Sequence, residues 1–251
     1  MDAIIFEKLL GFVMVMTRIS TFFLVVPVFG APTIPMVIKV SVTVFLSVFF
    51  SLINPPIAAA HQASTIQAMI LLGGEATYGL ALGVIASALF ATVKLAGRMI
   101  EDQMGMTMAE ILDPLSDEQG LPIASLLEMV FIIAFLAANG HHLFLKVLQR
   151  SFELFPPGKM PAIGTLSVNI LEATTTMLAA GLQLAAPVMV VLLLMLVVLA
   201  ILARIVPDMD IFFISFPLRI ALGLVMLIAF MPFIDGFVSE AVKMMAMILP
   251  L

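Results

Sequence analysis

The sequence predicts an all-α, integral-membrane-like protein of about six long, partly broken hydrophobic helices, with an amphipathic helix at the C-terminal end. Composition is the first reason. The 251 residues are 63% hydrophobic and 11% charged, with a mean hydropathy of +1.25. Ordinary soluble domains are about 45–50% apolar and roughly 25% charged. No water-soluble monomer of this size hides so much apolar surface. Run length is the second reason. The apolar stretches far exceed the roughly 9–11 residues of a barrel strand, and helices are the other way to satisfy a backbone in lipid. The third reason is punctuation, since Pro, Gly and charge clusters cut the chain at helix-like intervals.

The first segment runs from about Ile4 to Val26 and carries Lys8 and Arg18. Pro27, Gly30, Pro32 and Pro35 follow and are expected to forbid helix and make a tight connection. The second segment, about Met36 to Ile53, stops at Asn54-Pro55-Pro56, and a short polar link covers Ala60 to Thr65. The third segment spans about Ile66 to Ile100 and leads into an acidic loop at about Glu101–Gly120. The fourth is expected as one helix from about Leu121 to Leu148, with Lys146 and Arg150 suiting its C-terminus. Phe155-Pro156-Pro157-Gly158, with Pro161, makes a second rigid break.

The fifth segment holds 31 uncharged residues, Ala173–Ala203, roughly 46 Å if helical. The hydrocarbon core is about 30 Å thick. The surplus requires tilt, a bend at Pro187, or a protein environment beyond the bilayer. A polar turn, Arg204–Asp210, precedes the sixth segment, about Ile211–Met231, which contains Pro217 and Arg219. In the tail, Ile234, Phe237, Val238, Ala241, Met245, Ile248 and Leu249 share one face, with Asp235, Ser239, Glu240 and Lys243 elsewhere. Such a helix suits a membrane surface or a partner. No internal repeat or long linker appears, so 1–251 reads as a single helical domain.

The chain has no Cys and no Trp, and one Tyr, Tyr78. Disulfides, thiol catalysis and thiolate metal sites are excluded. A net charge of −5 and a pI near 5.1 argue against nucleic acid. The acidic first segment does not read as a cleavable signal. Six crossings would put Lys8, Lys146, Arg150, Lys159 and Lys243 on one side, and Lys39, Lys94, Arg98 and Arg204 on the other. That balance leaves orientation unassigned by the positive-inside rule.

Between Arg98 and Lys146 there is no Lys or Arg, yet seven of the sixteen carboxylates fall there. Met104, Met106 and Met108 alternate with smaller residues in this stretch. Flexible, polarisable Met side chains suit a gasket in a conduit, although Met is frequent throughout, at 20 residues. Glu75, Gly79, Gly83, Ser87 and Ala91 recur every four residues on the third segment. Small residues there admit a close helix neighbour, from this chain or from another subunit. Glu75 on that face is a functional candidate, or simply the partner of a Lys or Arg on an adjacent helix. Arg18, Glu128, Glu172 and Arg219 are the other charges inside apolar runs, and opposite signs make mutual pairing feasible. His61, His141 and His142 lack metal-site spacing, and no nucleophile elbow, phosphate loop or EF-hand is present. No catalytic, cofactor or metal site is expected.

In order along the chain stand Arg18 with Pro27-Val28-Phe29-Gly30, then Glu75-xxx-Gly79-xxx-Gly83 and Gly97. Asp102-Gln103-x-Gly105, Asp113-Pro114, and Phe152 with Pro156-Pro157-Gly158 follow. Arg204-x-x-Pro207 and Phe216-Pro217-Leu218-Arg219-Ile220-x-x-Gly223 complete the set. Over essentially its full length the sequence resembles the FliR family of flagellar export proteins and the T subunits of virulence type III secretion. Asp210 stands where the family often has Asn. The resemblance implies a subunit of the flagellar export gate, a spiral of helical hairpins in the bacterial inner membrane and basal body. It implies FliP and FliQ as fellow subunits, FlhB docked against them, and unfolded export substrates in transit. It also implies a loop that plugs the closed channel. By position that loop comprises Met104, Gly105, Met106, Met108, Ile111 and Asp113, with Glu75, Gly79, Gly83, Arg18 and Arg219 as packing and buried-charge residues. The competing reading is a stand-alone secondary transporter with Glu75, Glu128, Glu172 and Arg219 as its coupling network. A membrane enzyme would need a clustered nucleophile and base, which the sequence does not display.

Overall fold

The computed structural model describes residues 2–30, 34–53, 65–107, 122–159, 163–206 and 211–248. Of these, 92% are helical and none lies in a strand. In chain order the helices are α1 (Asp2–Val25), α2 (Pro27–Gly30), α3 (Met36–Ile53), α4 (Thr65–Met104) and α5 (Pro122–Ala137). They continue with α6 (His141–Leu154), α7 (Ile163–Ile205), α8 (Ile211–Phe230) and α9 (Phe233–Ile248). Five are long and apolar enough to cross a membrane, or six if α5 and α6 form one interrupted span. Ser and Thr hydroxyls inside them bond back to the carbonyl one turn earlier, as at Thr17–Val13, Thr43–Lys39 and Ser47–Thr43. That leaves no hydroxyl of these three dangling in apolar surroundings.

Several expected boundaries are corrected. Pro27 does not forbid helix but starts the single turn α2, because its missing N–H is not needed at a first helical position. Pro32 lies outside the described residues. The fourth segment is two helices, since Asn139 adopts φ 59° and ends α5, a left-handed conformation that Asn tolerates better than most side chains. The second piece runs on to Leu154, past Lys146 and Arg150, and Arg150 Nη1 bonds Glu153 Oε2 at 3.2 Å rather than capping a terminus. The third segment continues as helix to Met104, so Glu101–Met104 leave the loop. The fifth begins ten residues earlier than expected, and α7 reaches 43 residues with Pro187 inside it.

The residues group into two compact units. The first holds residues 1–89, 139–175 and 242–251. There α1 packs on α3, and Phe22, Phe23, Phe29 and Phe144 form an aromatic cluster with centroids 4.4–6.2 Å apart. Lys39 Nζ donates to the Gly30 carbonyl at 3.0 Å, capping α2 with a cation where the helix dipole is negative. The α3 helix is otherwise bare, with only 11% of its span buried and Phe45, Phe49 and Leu52 exposed.

The second unit holds residues 90–138 and 176–241. Phe90 meets Phe131 and Phe135 edge-on at 5.6 and 5.4 Å. Ile234 and Val238 of α9 are buried, and Phe237 lies 6.1 Å from Phe131. The first turns of the amphipathic tail therefore cover the chain's own core, which corrects the expectation of a membrane or partner surface for that part.

Candidate functional sites

Two sites emerge, one in each unit. In the first unit Arg18 and Glu75 are both fully buried and joined at two points, Nε to Oε2 at 2.6 Å and Nη2 to Oε1 at 3.0 Å. Arg18 Nη1 also donates to the Ser151 carbonyl at 3.2 Å and the Phe155 carbonyl at 2.9 Å. Glu75 Oε1 accepts the Gly158 backbone N–H at 2.8 Å. The guanidinium carbon lies 4.8 Å from the Tyr78 ring centroid and 4.4 Å from that of Phe152. The planar fork of Arg, with its five N–H donors, is what lets one side chain serve a carboxylate and two carbonyls together. A buried charge pair is tolerable only when its remaining hydrogen-bonding capacity is filled, and here it largely is.

The helix contact that builds this node uses Gly79 and Gly83. A methyl group at Gly79 would overlap the Arg18 carbonyl and the Thr21 hydroxyl, and one at Gly83 would stand 3.0 Å from the Phe22 carbonyl. The close neighbour is therefore α1 of the same chain. Ser87 and Ala91 continue the four-residue series but are not buried, because each step of four drifts about 40° around the helix. Gly158 ends the node with φ 92°, which explains why the Pro-Pro turn closes on Gly.

In the second unit the acidic stretch is rooted rather than loose. Gly105 has φ 80°, its N–H bonds the Asp102 carbonyl at 3.1 Å, and the Met106 N–H bonds the Glu101 carbonyl at 3.2 Å. This is the Schellman ending of a helix, which favours Gly at that place. Met104 is fully buried, and a methyl group at Gly223 of α8 would stand 2.7 Å from its Cγ and Sδ. The Phe216 ring and the Arg219 guanidinium lie beside Gly105. Glu101 Oε1 accepts the Ile123 N–H at 2.6 Å, satisfying a free donor in the first turn of α5. The segments before and after the loop are thus tied to each other.

Of the loop residues named from the sequence, Met104 belongs to a helix, Gly105 caps it, and Met106 is half-buried beyond it. Met108, Ile111 and Asp113 lie outside the described residues. The reading of Glu75 as the partner of a basic residue on an adjacent helix is the one found. Arg18 pairs with Glu75 and Glu128 with Lys94 at 3.1 Å, while Glu172 is exposed. With its oxygens already bonded to Arg18 and Gly158, Glu75 is a structural tie, and no ion-coupling network is needed to account for it. Sequence reasoning missed Ser151, Phe155, Gly158 and Tyr78 as partners of the pair, and Glu101 as a cap. Phe155 alone lies 137 residues from Arg18, so spacing gave no signal; the Pro-Pro-Gly turn was the one visible hint.

Residues 9–245 match the bacterial export proteins, family 1. The chain belongs to that family. Among relatives of bacterial export proteins, it is 33% identical over 225 residues to the flagellar biosynthetic protein FliR of Bacillus subtilis (strain 168), covering 88% of this chain and 86% of that one. It is 28% identical over 233 residues to FliR of Pectobacterium carotovorum, covering 91% and 85%. It is 24% identical over 229 residues to the Yop proteins translocation protein T of Yersinia pestis, covering 89% and 87%. Within this bacterial export family member, Gly79, Gly105, Gly158 and Gly223 each have a steric or conformational task at one of the two sites.

Proposed function

We propose that this chain is a structural, channel-forming subunit of the flagellar type III protein export gate, and that it helps form and plug the conduit for unfolded flagellar proteins. Its place is the bacterial inner membrane at the flagellar basal body. The fellow subunits are FliP and FliQ, with FlhB docked against them, and the chain is not an enzyme. The observation that carries this reading is the root of the acidic loop. A plug must hold station against a passing chain, and that requires its two ends to be anchored in the helices that flank it. The Gly105 cap and the Glu101–Ile123 bond fix those ends. The bare apolar faces of α3 and α8, each with 11% of the span buried, support assembly with other helices.

The test is deletion of the loop without its root. Because Met104 is part of the core, the deletion should start beyond Thr107, replacing residues 108–118 with a short Gly-Ser link. The assembled complex should then leak small ions through membranes that the parent keeps tight. Retained tightness in a complex of normal abundance would overturn the plug assignment.

A further inference from the structure

We propose that the groove between α1 and α3 binds one anionic phospholipid, with an acyl chain in the groove and the headgroup phosphate on Lys39. The groove lies wholly within the first unit and holds about 410 Å³, inside the roughly 300–1,000 Å³ typical of small-molecule sites. Its walls are apolar side chains such as Met16, Phe23 and Leu24 of α1, with Val40 and Val44 of α3. Three polar side chains join them. Ser20 and Thr43 donate their hydroxyl hydrogens to carbonyls of their own helices, at Thr17 and Lys39. Lys39 is the third, and the one charged residue among those lining the groove.

Lys39 Nζ donates to the Gly30 carbonyl at 3.0 Å. A carbonyl has no net charge, so the ammonium there stays a cation, and it has three N–H donors in all. Both helices are long and apolar enough to cross a membrane, and Lys39 stands one turn inside the start of α3. A lysine so near a helix end lays its stem on apolar surface and carries its charge to the headgroup level. From there the groove follows α1 from Leu24 to Met16, about 12 Å of helix. One leaflet of the hydrocarbon core is about 15 Å deep. A cation at the interface above an apolar cleft of that depth matches a phosphate with an acyl chain below it. A zwitterionic lipid fills the cleft equally well but brings a second cation to Lys39. A partner helix would leave the ammonium in a dry contact, where Lys is depleted.

The complete gate in nanodiscs would be exposed to phosphatidylglycerol with a photoactivatable diazirine in its acyl chain, or to phosphatidylcholine carrying the same chain. Mass spectrometry would locate the crosslinks. Phosphatidylglycerol should label residues 16–24 and 40–44 several-fold more than phosphatidylcholine does. Lys39→Gln should bring its yield down to the phosphatidylcholine level, and Lys39→Arg should keep it. Val44→Phe narrows the groove without touching the cation and should lower both yields, so the test stands even if the Lys39→Gln gate fails to assemble. Equal labelling by the two lipids, indifferent to Lys39, would make the groove an unselective lipid-wetted surface and overturn the proposal. No labelling there in the assembled gate would put a partner helix in the groove and also overturn it. The plug reading is judged separately, by ion tightness after loop deletion.

Discussion

Met104 fills the notch that Gly223 leaves in α8, with Cγ and Sδ 2.7 Å from where a side chain at that glycine would begin. The contact joins the last residue of α4 to the middle of α8 and sets where the acidic loop starts. Gly223→Ala should therefore displace Met104. The Met104→Ala change should relieve the crowding, giving a coupling of about 0.5–3 kcal/mol in a double-mutant cycle. Thermal dissociation of the purified complex measures it. Additive losses would mean that the two residues do not press on each other.

Glu75 and Arg18 give a second expectation. Glu75→Ala leaves a buried guanidinium without its carboxylate and should cost about 3–5 kcal/mol. The double replacement Arg18→Met with Glu75→Leu should lose much less, because no unpaired charge remains. Abundance of the assembled gate and its melting midpoint report both. A single variant as stable as the parent would contradict the burial of the pair.

Gly79 and Gly73 separate steric need from helix propensity. Nothing lies within 4 Å of a methyl group at Gly73, whereas one at Gly79 overlaps the α1 backbone. Gly73→Ala should thus gain up to about 1 kcal/mol from helix propensity alone. Gly79→Ala should destabilise, since a backbone carbonyl cannot swing aside. Comparable melting shifts in one direction would count against the close α1–α4 approach.

Gly105 and Glu101 test the loop root. Gly105→Ala forces an L side chain to φ 80° and should cost about 1–2 kcal/mol. Glu101→Ala removes the acceptor of the Ile123 N–H, and an unmet buried donor costs about 1–3 kcal/mol. Both variants should raise hydrogen exchange at the start of α5 and the end of α4. Unchanged protection there would mean that the root is held by other contacts.

Much of the architecture was legible in the chain because composition and run length report directly on the solvent a segment prefers. Segments one, two and six come within a few residues of α1, α3 and α8. The errors have a common origin. The break at Asn139, the helical turn at Pro27 and the extension of α4 to Met104 depend on single backbone conformations that hydropathy does not register. The loop root was half visible, since Asp102-Gln103-x-Gly105 was singled out without its reason, which is the left-handed cap.

By itself the sequence determined a helical membrane protein with one acidic interruption and an interior Arg and Glu, because these follow from transfer free energies of side chains taken one at a time. Only the tertiary structure decided that Glu75 belongs to Arg18, that the Gly79 face meets α1, and that Met104 is core rather than loop. Those are contacts between residues far apart in the chain, fixed by shape and hydrogen-bond geometry that no local pattern encodes.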